Sequence, residues 1–361
     1  MKPPVVVGTG LVAMDVVLRG AANQPVRSCT GGTCGNVLTI LAYLGWRSVP
    51  AARLALDHAG ALVEKDLTTW SVDVDFLHLG PERPTPIVVQ RLLKGRNGEA
   101  VHKFSWSCPC CGSWLPRYTP VSKAAASEVV AQVPKASVFF FDRPSPGAIA
   151  MATAYAAAGA LIVFEPSANG DPRAFDAALA LADVVKYSDQ RLAALPRHSV
   201  GRRVLEIQTL GQDGLRFRFS GGSRAAAWKV LPAIGIAQTV DSAGAGDWST
   251  AGLLHEIATK GRDGFASCAS ETIEAGLQYG QALAAWNCGF EGARGGMYER
   301  TKRQFRSDVA TILKGVKTVK AVPQLPATNP QLAQICPACP DAKPSASRTR
   351  RQQMLSSRTV A

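Results

Sequence analysis

Residues 137–166, SVFFFDRPSPGAIAMATAYAAAGALIVFEP, hold two short apolar runs separated by an alanine-rich segment. The runs VFFF and LIVF have the length and residue types of buried strands, and the segment between them is long enough for a helix of several turns. Two strands joined through a helix usually lie parallel in one sheet. This stretch therefore predicts a strand, a helix and a parallel strand.

The same alternation continues on both sides of this stretch. Helical patterns occupy 122–133 and 172–182, and the apolar run VVKYS at 184–188 predicts another strand. Near the N-terminus, VVVGTGLVAMDVVLRG predicts two strands around a glycine turn, followed by a helix that ends at Gly45. The alternation predicts an α/β fold with a mostly parallel sheet, helices on both faces and ligands at the carboxyl ends of its strands.

Residues 72–107 do not follow this alternation. The segment is strand-like and interrupted by proline and glycine, as in PTPIVVQRLL and EAVHKFSW, which is typical of antiparallel strands. We expect a small β lid drawn from about 10–20 and 72–120. It is inserted in a single domain over 1–330, with a cysteine-containing segment and tail at 331–361.

Composition favours a soluble enzyme. The chain has 361 residues, 47% of them hydrophobic, which is enough for a sizeable core. No apolar run reaches the length of about 18 residues typical of a membrane helix, and the N-terminus lacks the apolar region of a secretory signal. We therefore expect a cytoplasmic protein with no membrane partner.

The formal net charge of +13 favours anionic ligands. Residues 341–361 carry five basic side chains against one acidic, a local net charge of +4, in a polar segment rich in serine and arginine. Such a composition is typical of disorder. Nucleic acid is expected to bind, if at all, only through this basic tail.

A second informative stretch is TVDSAGAGDWSTAGLL, residues 239–254. It predicts a strand, a small-residue turn and a helix. The backbone N–H groups of 243–246 would then point outward at a helix N-terminus, where they suit a phosphate. Asp247 lies in the first helical turn, where a carboxylate can equally serve as a partner of the helix dipole. Local features alone leave both interpretations open.

The segment Asp241–Asp247 resembles the signature turn of the ribokinase/PfkB family of carbohydrate kinases. The resemblance extends to the early Asp15, to GGTCGN at 31–36 and to TLGQDG at 209–214, in the family's order. It implies a ribokinase-like three-layer sandwich, a mostly parallel sheet flanked by helices, with a small β lid.

The resemblance also implies an activity. Family members use ATP and Mg2+ to phosphorylate a hydroxyl of a sugar or sugar-like compound, nucleosides included. The last aspartate of the turn is the catalytic base, which assigns that role to Asp247. Gly244, Ala245 and Gly246 would form the anion hole around the transferred phosphoryl group. Lids in this family often pair, so a homodimer is compatible with the resemblance.

Other site residues follow from the resemblance in the same way. The substrate-binding residues would be Asp15, Gly32, Asn36 and Asp241. The nucleotide-binding loop would contain Thr209, Gly211 and Gly214. From the residues alone, a helix cap remains the alternative for Asn36 and a hairpin turn the alternative for 209–214.

One family motif is altered in this chain. An Asn-x-x-Glu motif usually helps to organise magnesium, but the aligned positions here are Ser188 and Arg191. Two alternatives stay open: Asp189 replaces the lost groups, or Arg191 contacts a phosphate directly. The change also leaves a second function open, a catalytically reduced member of the fold that binds a sugar or nucleotide and acts as an adaptor.

The nine cysteines of the chain include two Cys-x-x-Cys pairs. Cys108 and Cys111 form one pair, and Cys336 and Cys339 form the other. Each pair has the spacing of half a four-thiolate zinc site. If both pairs bind one Zn2+, the C-terminal segment folds back onto the lid; the alternatives are reduced surface thiols, or a Cys110 thiol that takes part in other chemistry. In the adaptor alternative, this zinc-clipped lid and the basic tail contact the partner.

Overall fold

The computed structural model describes residues 2–19, 25–81, 83–94, 100–168, 170–195, 204–220, 226–316 and 332–339. The strands in these ranges are β1 (Val5–Thr9), β2 (Ala13–Arg19), β3 (Pro25–Gly31), β4 (Arg47–Ala51), β5 (Ile87–Lys94), β6 (Ala100–Ser105), β7 (Val138–Phe141), β8 (Leu161–Phe164), β9 (Val184–Ser188), β10 (Val204–Thr209), β11 (Leu215–Ser220) and β12 (Lys229–Leu231). The helices are α1 (Thr33–Tyr43), α2 (His58–Thr69), α3 (Lys123–Gln132), α4 (Pro146–Ala157), α5 (Pro172–Leu181), α6 (Ala245–Ile257), α7 (Gly261–Ala266), α8 (Ser270–Cys288), α9 (Gly295–Glu299), α10 (Lys302–Leu313) and α11 (Leu332–Ile335).

The main sheet has the strand order β12-β11-β10-β9-β8-β7-β1-β4. The pairs from β4 to β10 are parallel, and β11 and β12 add an antiparallel edge. Along β7, Val138 and Phe140 pack with the core of α1, α6 and α8, whereas Phe139 and Phe141 pack with α3, α4 and α5. Helices therefore cover both faces, which confirms the predicted α/β fold.

Helix boundaries follow the capping signals in the sequence. Ser145 and Asp171 cap α4 and α5, each followed by a proline in the first turn. Helix α1 ends before Gly45, whose φ of 102° is a left-handed conformation that favours glycine. The predicted helix stop at Gly45 is confirmed.

A second sheet has the strand order β3-β2-β5-β6, with β2 and β5 parallel and the outer pairs antiparallel. Val16 and Leu18 of β2 bury one face against the main core. The sequence interpretation missed β3. It also began the insert at residue 72, but the described residues of 72–86, which leave out residue 82, form no named strand and contribute an isolated bridge between Arg53 and His78.

Helix α6, which carries the candidate base, packs closely against α8. A Cβ on Gly252 would lie 2.6 Å from the Cα of Gly280, and a Cβ on Gly280 would lie 2.4 Å from the carbonyl oxygen of Ser249. Contacts this short leave no room for a side chain. The two glycines therefore set the distance between α6 and α8.

We expect Gly280→Val to lower the free energy of unfolding by about 1–3 kcal/mol, because the added side chain pushes the two helices apart. Urea unfolding followed by circular dichroism measures the change. Ala275→Ser alters an exposed position of the same helix and should stay within about 0.5 kcal/mol of the wild type. Equal stability of the two variants would contradict the close packing of α6 and α8.

Candidate active site

The turn before α6 is held by a helix end, not by a strand. The amides of Val240 and Asp241 both donate to the carbonyl of Cys288, at the end of α8, at 2.8 and 3.2 Å. No strand lies between Leu231 and Ala245, all of which the structure describes. The predicted strand before the turn is therefore wrong, because the backbone here pairs with α8 rather than with the sheet.

Asp241 lies under the turn and is fully buried. Its Oδ1 accepts the amide of Ala243 at 2.7 Å, and its Oδ2 accepts the amide of Gly292 at 2.8 Å. The resemblance had assigned Asp241 to the substrate. The hydrogen bonds give it a structural role, tying the turn to the loop that follows α8.

Gly244 begins α6 in a left-handed conformation, with φ of 73°. A Cβ there would lie 2.2 Å from the carbonyl oxygen of Ala293. That carbonyl is held in place, because it accepts hydrogen bonds from Trp248 Nε1 and Asn287 Nδ2, both at 3.0 Å. The close approach and the left-handed backbone both require glycine at this position.

The amides of the turn have two different roles. Those of Ala243 and Ala245 are used inside the turn, by Asp241 Oδ1 and by the carbonyl of Ser242. The expectation that all four amides of 243–246 face outward is therefore wrong. Gly246 lies in the first turn of α6, where amides have no carbonyl acceptor within the helix and can bind an anion.

Asp247 is hydrogen-bonded to Asn36, with Asn36 Nδ2 2.7 Å from Asp247 Oδ2. The other end of the amide, Asn36 Oδ1, accepts from Arg294 Nε at 3.1 Å. Arginine only donates, so the amide orientation is fixed and its NH2 group must face Asp247. The cap of α1 is Gly32. The helix-cap alternative for Asn36 is therefore wrong.

Arg294 is almost fully buried and was missed by the sequence interpretation. Its guanidinium donates to Asp66 Oδ2 at 2.8 Å and to the carbonyl of Thr30. Tyr298 donates its hydroxyl to the other oxygen of Asp66 at 2.8 Å. This network joins the loop after α8, helix α2 and strand β3 behind Asn36, and so holds the partner of Asp247 in place.

Asp15, on β2 of the second sheet, lies against the glycine pair at the start of α1. A Cβ on Gly31 would lie only 1.8 Å from the Cγ of Asp15. Burial raises the pKa of Asp15 to about 7, opposed by the charge of Arg294 and a hydrogen bond from the backbone of Gly32. Asp15 Oδ1 is buried without a hydrogen-bond partner among the residues that the structure describes. This oxygen is available to accept a hydrogen bond from a ligand hydroxyl.

Burial and the negative charge of Glu165 raise the pKa of Asp247 to about 8. The hydrogen bond from Asn36 and the positive charges of Lys186 and Arg191 act in the opposite direction. A carboxylate with a pKa in this range suits proton transfer near neutral pH.

Glu165 follows β8 at the carboxyl edge of the sheet. Its Oε1 accepts from Lys186 Nζ at 2.6 Å and its Oε2 from Thr250 Oγ1, also at 2.6 Å. Lys186 Nζ and Glu165 Oε1 lie 3.4 and 3.7 Å from the position of a Cβ on Gly246. A buried ion pair therefore lies directly beside the turn. The sequence interpretation gave neither residue a role.

The loop after β9 contains the altered motif. The carboxylate of Asp189 accepts the amide of Gln190 at 2.8 Å, so it stabilises its own loop. Arg191 is exposed, and its charge acts on Asp247. A positive charge that acts on Asp247 therefore stands at the position of the family's usual glutamate.

Thr209 ends β10, and Gly211 and Gly214 lie in the connection from β10 to β11, beside that loop. The amide of Asp189 donates to the carbonyl of Thr209 at 3.1 Å. Gly214 has φ of 99°, and a Cβ there would lie 2.2 Å from the carbonyl oxygen of Leu231. The predicted hairpin is confirmed. A role in nucleotide binding stays a prediction.

Residues 6–300 match the model of the pfkB family of carbohydrate kinases. The chain belongs to this family. It is 29% identical over 308 residues to an ATP-dependent ribose-1-phosphate kinase of Halopiger xanaduensis, covering 80% of this chain and 93% of that protein. It is 27% identical over 258 residues to a fructokinase of Klebsiella pneumoniae, covering 64% of this chain and 78% of that protein.

Solved structures agree on the fold of this pfkB-family kinase. The aminoimidazole riboside kinase of Salmonella enterica, complexed with aminoimidazole riboside and an ATP analogue, has a TM-score of 0.63 and 21% identity. The match covers 84% of this chain and 99% of that one. Among the helices that the structure describes, none is long and apolar enough to cross a membrane. The basic tail at 341–361 lies outside the described residues.

If Asp247 acts as a general base, we expect kcat/KM to rise with pH up to about 8, because its carboxylate must be unprotonated to accept a proton and its pKa is raised. Glu165→Gln removes the neighbouring negative charge, so the pKa of Asp247 falls and the rise moves to lower pH. Rates measured from about pH 6 to about pH 10 test both statements, with those limits chosen to span about two units on either side of the wild-type value.

Glu206→Gln is the matched control for that experiment. Glu206 is also buried and paired, with Arg218 at 2.7 Å, but on β10 away from the turn. Its replacement should leave the pH profile in place. A profile unchanged by Glu165→Gln, or shifted equally by both variants, would contradict the electrostatic coupling of Glu165 to Asp247.

Proposed function

We propose that this protein transfers the γ-phosphoryl group of ATP to a hydroxyl of a sugar or sugar-like substrate, with Asp247 as the general base. The observation that carries the proposal is the position of Asp247. Asp247 is half-buried, and its carboxylate lies in the first turn of α6, hydrogen-bonded to Asn36. It is therefore close both to the turn that suits a phosphate and to the start of α1, which the resemblance assigns to the sugar.

The substrate side is formed by Asp15, Gly32 and Asn36. These residues are linked to Asp247 through short contacts: the backbone of Gly32 bonds Asp15 and also accepts the amide of Asn36 at 2.8 Å. Asp15 Oδ1 can accept a hydrogen bond from a sugar hydroxyl. A hydroxyl held there would be linked to the candidate base through Gly32 and Asn36.

The phosphate side is formed by Gly244, Gly246 and nearby cations. As the hydroxyl oxygen attacks the γ-phosphorus, Asp247 accepts its proton and the bond to the ADP oxygen breaks. Backbone amides at the N-terminus of α6 and the helix dipole stabilise the charge on the transferred phosphoryl oxygens. Lys186 and Arg191 add positive charge beside this turn.

Magnesium is implied by the family, and the residues around the turn fit it. The carboxylates of Glu165 and Asp247 flank Gly246, and Mg2+ prefers oxygen ligands, usually one or two carboxylates together with substrate phosphates. These two side chains would hold the ion beside the turn. When bound with ATP, it would offset the charge of the phosphates.

The substrate is best sought among sugars with a ribose or fructose ring. The relatives and the structural neighbour are named for ribose 1-phosphate, fructose and aminoimidazole riboside. Ribose, ribose 1-phosphate, fructose and ribonucleosides therefore form the first panel to test.

The test measures ADP release with Mg2+ and ATP across this panel, with wild-type protein and Asp247→Asn side by side. Release that depends on one sugar and is lost in the variant supports the proposal. Saturable sugar binding by both proteins, with no turnover by either, would overturn it. That outcome would favour the binding-protein alternative, which the replacement of glutamate by Arg191 leaves open.

A further inference from the structure

Two distant Cys-x-x-Cys pairs meet in the folded chain. The Sγ atoms of Cys108, Cys111, Cys336 and Cys339 all lie within 4.8 Å of one another. Cys108 and Cys339, 231 residues apart, have their sulfur atoms 3.7 Å apart, and those of Cys111 and Cys336 are 3.8 Å apart. The cluster is far removed in sequence from the phosphate turn and takes no part in the proposed reaction.

The sulfur separations fit one tetrahedral metal ion. With Zn–S bonds of about 2.3 Å, the edges of a four-sulfur tetrahedron are about 3.8 Å long. A disulfide would require a separation of about 2.0 Å. Both measured pairs therefore match the edge of a zinc site and are too long for covalent bonds. Four sulfur ligands in this arrangement are typical of zinc or iron–sulfur sites.

The first pair lies in a tight loop after β6. The carbonyl of Cys108 accepts the amide of Gly112 at 2.8 Å, and Gly112 has φ of 75°. The amide of Cys110 points at Cys108 Sγ, with a separation of 3.4 Å. An amide directed at a sulfur is the kind of outer hydrogen bond that stabilises a thiolate ligand. Cys110 itself is exposed and outside the cluster.

The second pair is held in the protein core by the short helix α11. Cys336 and Cys339 are buried, and Ile335 is buried beside them in the main hydrophobic cluster. The amide of Cys339 donates to the carbonyl of Cys336 at 3.1 Å, closing the turn that points both side chains the same way. The segment 332–339 is thus folded in a way that presents two sulfur atoms to the loop after β6.

We propose that Cys108, Cys111, Cys336 and Cys339 bind one Zn2+ as thiolates and that the ion fastens segment 332–339 to the loop after β6. That loop also supports the second sheet, since the amide of Ile87 donates to the carbonyl of Pro116. The ion therefore braces the sheet that carries Asp15. Binding closes a very long loop, so its removal destabilises the fold.

The test begins with the full chain, purified with reductant and added Zn2+, and its metal content measured by plasma mass spectrometry. We expect about one zinc per chain in the wild type and nearly none in Cys336→Ser or Cys339→Ser. Cys110→Ser is the matched control, because Cys110 lies in the same loop outside the cluster, and it should keep its zinc. A strong chelator should lower the melting temperature of the wild type and of Cys110→Ser.

A second measurement needs no variant and decides the question if the serine variants fail to fold. Titration of metal-free wild type with Co2+ should give the visible absorption of a tetrahedral thiolate site, saturating at about one ion per chain. The absence of both bound zinc and this absorption in the wild type would overturn the proposal. So would bound iron in place of zinc, equal zinc loss in Cys110→Ser, or disulfides between the two pairs.

Discussion

Asp247→Asn is expected to lower kcat for sugar phosphorylation by about 100- to 10,000-fold, the range typical of a lost general base. An asparagine at this position can still accept the hydrogen bond from Asn36 through its own carbonyl oxygen, so the local geometry should survive. It cannot take the proton from the substrate hydroxyl. The KM for the sugar should therefore change far less than kcat.

Steady-state kinetics of the purified variant measure both quantities, and Asp263→Asn provides the control. Asp263 is likewise an aspartate in the first turn of a helix, α7, but it is exposed and outside the site. Its replacement should leave kcat within about twofold, as for an ordinary surface change. An Asp247→Asn enzyme that kept kcat within about tenfold of the wild type would remove Asp247 from the role of base.

Gly244→Ala is expected to lower kcat/KM by about 100- to 1000-fold, the cost of losing aligned donors to the phosphoryl group. The added Cβ would lie 2.2 Å from the carbonyl oxygen of Ala293, and the left-handed backbone there disfavours any side chain. Since that carbonyl is fixed by Trp248, the turn must move instead. The donors at the start of α6 would move with it.

Gly45→Ala separates backbone strain from the steric contact with Ala293 as causes of the lower kcat/KM. Gly45 also has a positive φ, 102°, but nothing lies within 4 Å of its Cβ position. Its variant should lose about 1–2 kcal/mol of stability from backbone strain alone and keep its turnover. Equal kinetic constants for Gly244→Ala and the wild type would show that the turn does not hold the phosphoryl group.

The sequence was most informative where a pattern is local. The four-residue apolar runs of β7 and β8 and the capped helix between them predicted the main sheet, because each signal lies within a few residues. Strand β3 was missed because PVRSCTG has neither an apolar run nor a regular alternation of apolar and polar residues, although it pairs with β2, which the sequence did predict.

The site residues also divide into those with a local sequence signal and those that only the fold brings together. The turn at 241–247 was visible in the sequence, whereas Arg294 lies 258 residues from Asn36 and only the fold brings the two together. Glu165 and Lys186 had a weaker sequence signal. Glu165 directly follows the apolar run of β8, and Lys186 is a lysine inside the apolar run of β9. The rule that ligands meet the carboxyl ends of parallel strands could have selected Glu165.

The most direct test of the account follows the phosphoryl group itself. ATP labelled with heavy oxygen in its γ-phosphoryl group is incubated with Mg2+, the enzyme and the sugar that gives the highest ADP release, and the products are analysed by mass spectrometry. The account predicts labelled phosphoryl on the sugar, in amounts equal to the ADP formed, and none with Asp247→Asn. Label found only in inorganic phosphate, or ADP release independent of the sugar, would contradict it.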